Sequence, residues 1–304
     1  NIFAGIKEQF RKFAGEFEHW LVQEDGRVVD LYKSITTIFE CKPEYFFQYC
    51  VKMADKDQLN DREYYHGLKS YVDSVVYPDF PYSHVYAIKE VVEKIPSDSV
   101  LHLSINDSIR ITNFFKLNPR IKTYANIGTH GIDGCLSSFL GQAAAGDKQS
   151  YLVIGDLAFF YDMNAMRLRH IKNNVHILLI NNEGGSEFYF NHMWKDEASD
   201  LHTTARHHTK AEGWVKSNNF IYLSAHDKES MQEALKEFMR CDLEKPVFLE
   251  VFTEMKTDSD VIYDFFDLSR PKDVQSETIR RSKEFIKATI GQEKAQKIAG
   301  LFKK

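Results

Sequence analysis

The chain has 304 residues, 43% of them hydrophobic and 27% charged, with a formal net charge of −5. That length can bury a full α/β core and leave room for a smaller appendage. The acidic balance argues against a nucleic-acid-binding face, and no apolar stretch approaches the roughly 20 residues that cross a bilayer.

In chain order, residues 5–22 read as one amphipathic helix, because Phe10, Phe13, Phe17 and Trp20 recur at helical spacing. Core packing is the expected use of that aromatic stripe. Residues 24–76 set Tyr and Phe in a polar background and read as short helices. The first eight residues lack a charged region followed by an apolar run, so no signal peptide is expected. Cys41, Cys50, Cys135 and Cys241 have no CxxC spacing and fit reduced thiols, which points to a cytoplasmic protein.

From Tyr77 the pattern becomes regular. Helices over 83–94, 107–116, 131–145, 162–172, 210–217 and 227–240 alternate with strands over 99–105, 121–126, 150–155, 174–180, 219–224 and 246–252. This predicts an α/β fold with a six-stranded parallel sheet and helices on both faces. Residues 273–302, rich in Lys, Glu and Ala, read as a final amphipathic helix.

Ligands of such sheets bind at the carboxyl ends of the strands. Two strand ends carry the strongest signal: Ile154-Gly155-Asp156-Leu157, and Leu179-Ile180-Asn181-Asn182-Glu183-Gly184-Gly185. If those strands are neighbours, Asp156 and Asn182 stand side by side. Magnesium takes oxygen ligands and keeps phosphates among them, so a carboxylate, an amide oxygen and a turn carbonyl would form a magnesium-diphosphate site. Gly184 and Gly185 would let the backbone approach a ligand, and the helix after Asp156 would turn free N–H groups toward an anion.

Gly155-Asp156, a spacer and Asn181-Asn182 resemble the cofactor motif of thiamine-diphosphate enzymes. The stretch from Gly155 to Asn164, with Asn126-Ile127-Gly128-Thr129-His130-Gly131-Ile132-Asp133-Gly134, resembles one branch most closely, the menaquinone-pathway synthases of the MenD type. The resemblance covers about residues 80–255. It implies that residues 1–76 are the tail of a middle domain and its linker, and that 77–270 form the diphosphate- and Mg2+-binding domain, with a C-terminal helix over 271–304. It further implies that Asp156, Asn182 and the Gly184 carbonyl hold the metal. Gly155, Gly185 and the amides of Leu157 and Ala158 would meet the cofactor, with Asn106 nearby. Ile132 would be the pillar that bends the cofactor, and the His130 carbonyl would face its amino group. Arg110 would bind substrate. The reaction implied is decarboxylation of 2-oxoglutarate and addition of the product to an acceptor such as isochorismate.

Three positions depart from the branch: Ile127 replaces an arginine, Glu187 an apolar pocket residue, and Asn106 a serine. They predict an intact cofactor site and an altered acceptor pocket. The branch also uses a glutamate on a separate pyrimidine-binding domain, for which 304 residues leave no room. The expected partners are therefore that domain, in cis or trans, and further copies in a homodimer or homotetramer. No catalytic residue is expected within the chain, and alone it should be inactive.

Other readings compete. Gly128, Gly131 and Gly134 between a strand and a helix invite a nicotinamide cofactor, but their spacing is GxxGxxG rather than GxGxxG. His202, His207 and His208 near Asp196 and Asp200 invite a transition metal, without HExxH or CxxC spacing. A mobile loop covering the cofactor accounts better for that stretch. A non-catalytic relic that keeps the fold is a third class.

Overall fold

In the computed structural model, the described residues are 7, 10–55, 62–128, 130–190 and 202–269. The chain divides into two compact units, residues 1–76 and 77–304.

The first unit holds two short strands, β1 (Trp20–Val22) and β2 (Thr37–Phe39), and two helices, α1 (Pro43–Met53) and α2 (Glu63–Asp73). The strands pair in parallel, Trp20 opposite Thr37. The single helix expected over 5–22 is not formed: described helical residues end at Lys12, and Trp20 lies in β1. Gly15, at φ +89°, takes a left-handed conformation that ends the helix. The aromatic stripe folds into local clusters instead, with Phe10 against Phe17 and Tyr32, and Trp20 against Phe39. The short helices expected over 24–76 are present, but the parallel strand pair was not foreseen.

The second unit follows the predicted alternation. Its elements are α3 (His84–Val92), β3 (Val100–Leu103), α4 (Asp107–Thr112), β4 (Lys122–Ala125), α5 (Cys135–Ala144), β5 (Ser150–Gly155) and α6 (Asp156–Asp162). After them come β6 (Val175–Asn181), α7 (Ser186–Phe190), α8 (Glu212–Ser217), β7 (Ile221–Ala225), α9 (Lys228–Phe238), β8 (Val247–Phe252) and α10 (Met255–Ser269). All six strands pair in parallel, in the order β4-β3-β5-β6-β8-β7.

Successive side chains of a strand point to opposite faces, so a sheet buried on both sides feeds two cores. Val153 and Leu178 join one cluster with Val85 and Ile88 of α3 and Leu235 of α9. Their neighbours Leu152 and Leu179 join the other, with Phe139 of α5 and Phe159 of α6. The helices therefore cover both faces of the six-stranded parallel sheet, as the sequence predicted.

Three boundaries differ most, the first being the helix expected over 107–116, which ends at Thr112. No loop separates β5 from a helix over 162–172: α6 begins at Asp156 itself and gives way to a 3-10 turn over Met163–Arg167. The α5 helix starts at Cys135 rather than 131, because Gly134 before it is left-handed at φ +73°. Helices α7 and α10 were not foreseen. The helix expected over 273–302 lies outside the described residues.

Candidate functional site

The strand order reverses between β3 and β5: the chain leaves β3 toward β4 on one side and leaves β5 toward β6 on the other. At such a switch point the loops beyond the strands part and leave a crevice. A pocket opens there, lined by Ser104 and Asn106 beyond β3, Asp156 beyond β5, and Asn182, Gly184 and Glu187 beyond β6. Of the residues predicted for the site, all but His130 and Arg110 line it. His130 is exposed, at φ +55°.

Strand β5 pairs directly with β6, with Gly155 opposite Ile180, so Asp156 and Asn182 emerge from adjacent strand ends. Asp156 is 2% exposed. Its Oδ1 accepts from the Leu157 N–H at 2.6 Å and its Oδ2 from the Gly184 N–H at 2.9 Å. The second bond ties the β5 end to the Gly-Gly turn. Hydrogen bonds from backbone donors keep such a buried carboxylate in place without neutralising its charge.

The two asparagines divide their work. Asn181 donates to Glu250 Oε1 at 2.7 Å and to the Thr209 carbonyl at 2.9 Å. Glu250, wholly buried, also accepts from the Ala211 N–H and the Tyr222 hydroxyl, so Asn181 belongs to the packing beneath the site. Asn182 lines the pocket, with its amide nitrogen committed to Asp258.

Gly184 and Gly185 permit a close approach within the chain itself. A Cβ on Gly184 would stand 2.7 Å from the Thr204 carbonyl oxygen, and the Gly185 N–H donates to that oxygen at 2.6 Å. The close approach they permit is that of the chain's own 204–206 backbone. His207 continues this stitching: its N–H donates to the Glu183 carbonyl at 3.0 Å, and its Nε2 stands 3.3 Å from Asp156 Oδ2. Contact with Asp156 raises the His207 pKa above that of a free imidazole. On the other side of the ring, the Thr209 N–H donates to Nδ1 at 3.0 Å.

At the opposite wall, Arg110 is ion-paired with Glu187 and lies 3.3 Å from Asp107. Ser186 donates to the other Asp107 oxygen at 2.8 Å. Burial raises the Asp107 pKa, against the pull of His84, Ser186 and Arg110. The arginine expected to receive substrate thus already holds two carboxylates, one of them from a departing position. Ile127 is 48% exposed and does not line the pocket.

Sequence reasoning missed Ser104, His84 and Asp258. Ser104 is 1% exposed, lines the pocket, and its Oγ has no hydrogen-bond partner among the described residues. A buried hydroxyl in that condition calls for a ligand or water acceptor. No local motif marks these three; the fold alone brings Ser104 and His84 to the pocket and Asp258 against His84 and Asn182.

Two competing readings lose ground. Gly128, Gly131 and Gly134 follow β4, the exposed edge strand, and none of them lines the pocket. Among the described residues, no three His, Cys, Asp or Glu side chains cluster to hold a metal. His207 and His208 instead face Asp156 and Glu183, while Asp196 and Asp200 lie outside the described residues.

Comparison with known proteins agrees with the strand-end motifs. The chain is 36% identical over 257 residues to the 2-succinyl-5-enolpyruvyl-6-hydroxy-3-cyclohexene-1-carboxylate synthase of Bacteroides thetaiotaomicron, covering 84% of this chain and 46% of the relative. The synthase of the same name from Phocaeicola vulgatus is 34% identical over 266 residues, 86% of this chain and 47% of that one. The chain belongs to their family. It spans about half the length of the curated relatives it matches. No protein-family model matches the chain. Among the described residues, no helix is long and apolar enough to cross a membrane.

Proposed function

We propose that this chain is the diphosphate- and magnesium-binding half of a thiamine-diphosphate enzyme of this synthase family, acting in menaquinone biosynthesis. One observation carries the reading: adjacent parallel strands bring Asp156 and Asn182 to one pocket at the sheet's switch point. The donor set suits a hard cation, with a buried carboxylate, an amide and nearby backbone carbonyls rather than thiolates or imidazoles. The orphaned Ser104 hydroxyl suits an anionic or polar ligand beside it.

In this reading Asp156, Asn182 and the Gly184 carbonyl would hold Mg2+, and the Ala158 amide would meet the diphosphate, joined by the Leu157 amide where it turns from Asp156 Oδ1. Gly155 and Gly185 border it, Asn106 closes the β3 side, and Ile132 supports the cofactor from below. Bound thiamine diphosphate supplies the electron sink for decarboxylating a 2-oxo acid. The chain's own part is to fix the diphosphate end and to seal it with the segment over 202–209. The ring-activating glutamate comes from a pyrimidine-binding domain, in cis or trans. Residues 1–76 are the end of a middle domain, and the assembly is a cytoplasmic homodimer or homotetramer.

The proposed substrates are those the family resemblance implies, 2-oxoglutarate as donor and isochorismate as acceptor. A second reading, a 2-oxo acid lyase with another acceptor, is favoured by the Arg110–Glu187 pair, which occupies the expected carboxylate-binding cation. An assay of CO2 release from 2-oxoglutarate with thiamine diphosphate and Mg2+ tests the division of labour. The isolated chain should stay at the blank and turn over once a pyrimidine-binding domain is joined to it. Release by the isolated chain contradicts the division; none from the joined form contradicts the donor.

A further inference from the structure

Asp258 belongs to no predicted motif, yet from α10 it holds Asn182, which lines the pocket. It is wholly buried, and its two oxygens serve different donors. Oδ1 accepts from the His84 backbone N–H at 2.8 Å and lies 3.1 Å from His84 Nδ1. Oδ2 accepts from Asn182 Nδ2 at 3.0 Å and from the Thr253 hydroxyl at 2.7 Å.

A side-chain amide carries an acceptor and a donor at almost equal reach, and only the acceptor can hold a cation. Nothing in Asn182 itself selects between them. An ionised carboxylate accepts and cannot donate, so it holds the NH2 of Asn182 and leaves the oxygen as the other corner of the amide. We propose that Asp258 is a positioning residue that fixes the Asn182 amide with its oxygen toward the cation and its nitrogen toward the protein. This rests on the metal reading of the site given above.

The arrangement makes a specific demand on substitutions. The His84 N–H opens α3 and has no partner within the helix, so whatever stands at 258 must give it an oxygen. In Asp258→Asn that oxygen stays with His84, and the new NH2 faces Asn182. Asn182 must then turn its own oxygen inward and present NH2 to the cation. Adding Asn182→Asp cures the fault: one carboxylate oxygen accepts from the new amide and the other faces the pocket. The pair of substitutions exchanges the amide and the acid without changing the number of heavy atoms.

Calorimetric titration of the 304-residue chain with thiamine diphosphate, at several Mg2+ concentrations, tests this. D258N should need about tenfold more Mg2+ for half-saturation, the lower end of the roughly 10- to 100-fold cost of losing a ligand's orienting partner. N182D/D258N should return to within about threefold of the unaltered chain, a residual of under 1 kcal/mol. A merely structural role for Asp258 would not be rescued by a change at the ligand. Unchanged Mg2+ dependence in D258N overturns the proposal, as does a folded double variant no better than the single one. If D258N fails to fold, the double variant decides by the same criterion. The unaltered chain gives an independent reading through the side-chain NH2 resonance of Asn182, assigned by its loss in N182D. It should show a proton protected from exchange, and free exchange of both protons contradicts the Asp258 bond. Absence of any Mg2+-dependent binding by the unaltered chain would instead overturn the metal reading, leaving that resonance to report on Asp258.

Discussion

The two walls of the pocket handle charge in opposite ways. At the β5–β6 wall, the buried Asp156 carboxylate is held by two backbone N–H groups and lies 3.3 Å from the His207 imidazole, and no arginine or lysine is paired with it among the described residues. At the α4–α7 wall, the Arg110 guanidinium meets Glu187 and Asp107 together. The first wall leaves a negative charge for a cation to meet. The second has already satisfied its cation from within the chain. Under the proposed function, the first wall would meet the cofactor's cation and the second would face the substrate.

The largest break in that contrast should come from Asp156→Ala. It removes the only charged group of the proposed metal set, and Mg2+-dependent cofactor binding should fall by more than about 100-fold, beyond the cost of losing an outer partner. Calorimetry reads this directly, with circular dichroism to check the fold. Binding within a few-fold of the unaltered chain would remove Asp156 from the site. A smaller change, at the other wall, is Glu187→Ile. Releasing Arg110 frees a charge-assisted donor worth about 1.5–3 kcal/mol, so 2-oxoglutarate should bind roughly 10- to 150-fold more tightly. If affinity for the dicarboxylate does not rise, Glu187 is not what closes this wall.

The distance between these walls also separates what could be read in the chain from what could not. The strands of the second unit were legible because β5, β6 and β8 are buried on both faces and appear as mostly apolar runs, broken only by His176 and Glu250 within β6 and β8. Asp156 and Asn182 were legible because each ends such a run. Asp258 and His84 were not, since they lie 76 residues after and 98 residues before Asn182 and only the fold unites them. The pairing of Arg110 with Glu187, 77 residues apart, was hidden for the same reason. In the first unit, short strands and exposed aromatic helices carry little burial periodicity, and an aromatic stripe read as a helix where Gly15 ends one.

Smaller substitutions sharpen the contrast further. His207→Gln keeps a donor near Asp156 but loses the stitched imidazole, and should weaken Mg2+-dependent binding by only a few-fold, below the outer-partner range of about 10-fold and more. A loss matching that of Asp156→Ala would make His207 a ligand rather than a neighbour. Ile127→Arg should do least. Ile127 is exposed and off the pocket, and surface changes usually stay within about 0.5 kcal/mol, so dicarboxylate affinity should move no more than about twofold. A gain as large as that of Glu187→Ile would show that this position reaches substrate after all.

The most direct test of the account is a calorimetric titration of the chain with thiamine diphosphate in the presence and absence of Mg2+, with NAD as the alternative ligand. The account predicts binding of thiamine diphosphate that requires Mg2+ and disappears in Asp156→Ala, and no binding of NAD. Binding that is indifferent to Mg2+ or to Asp156, or binding of NAD in its place, would contradict it.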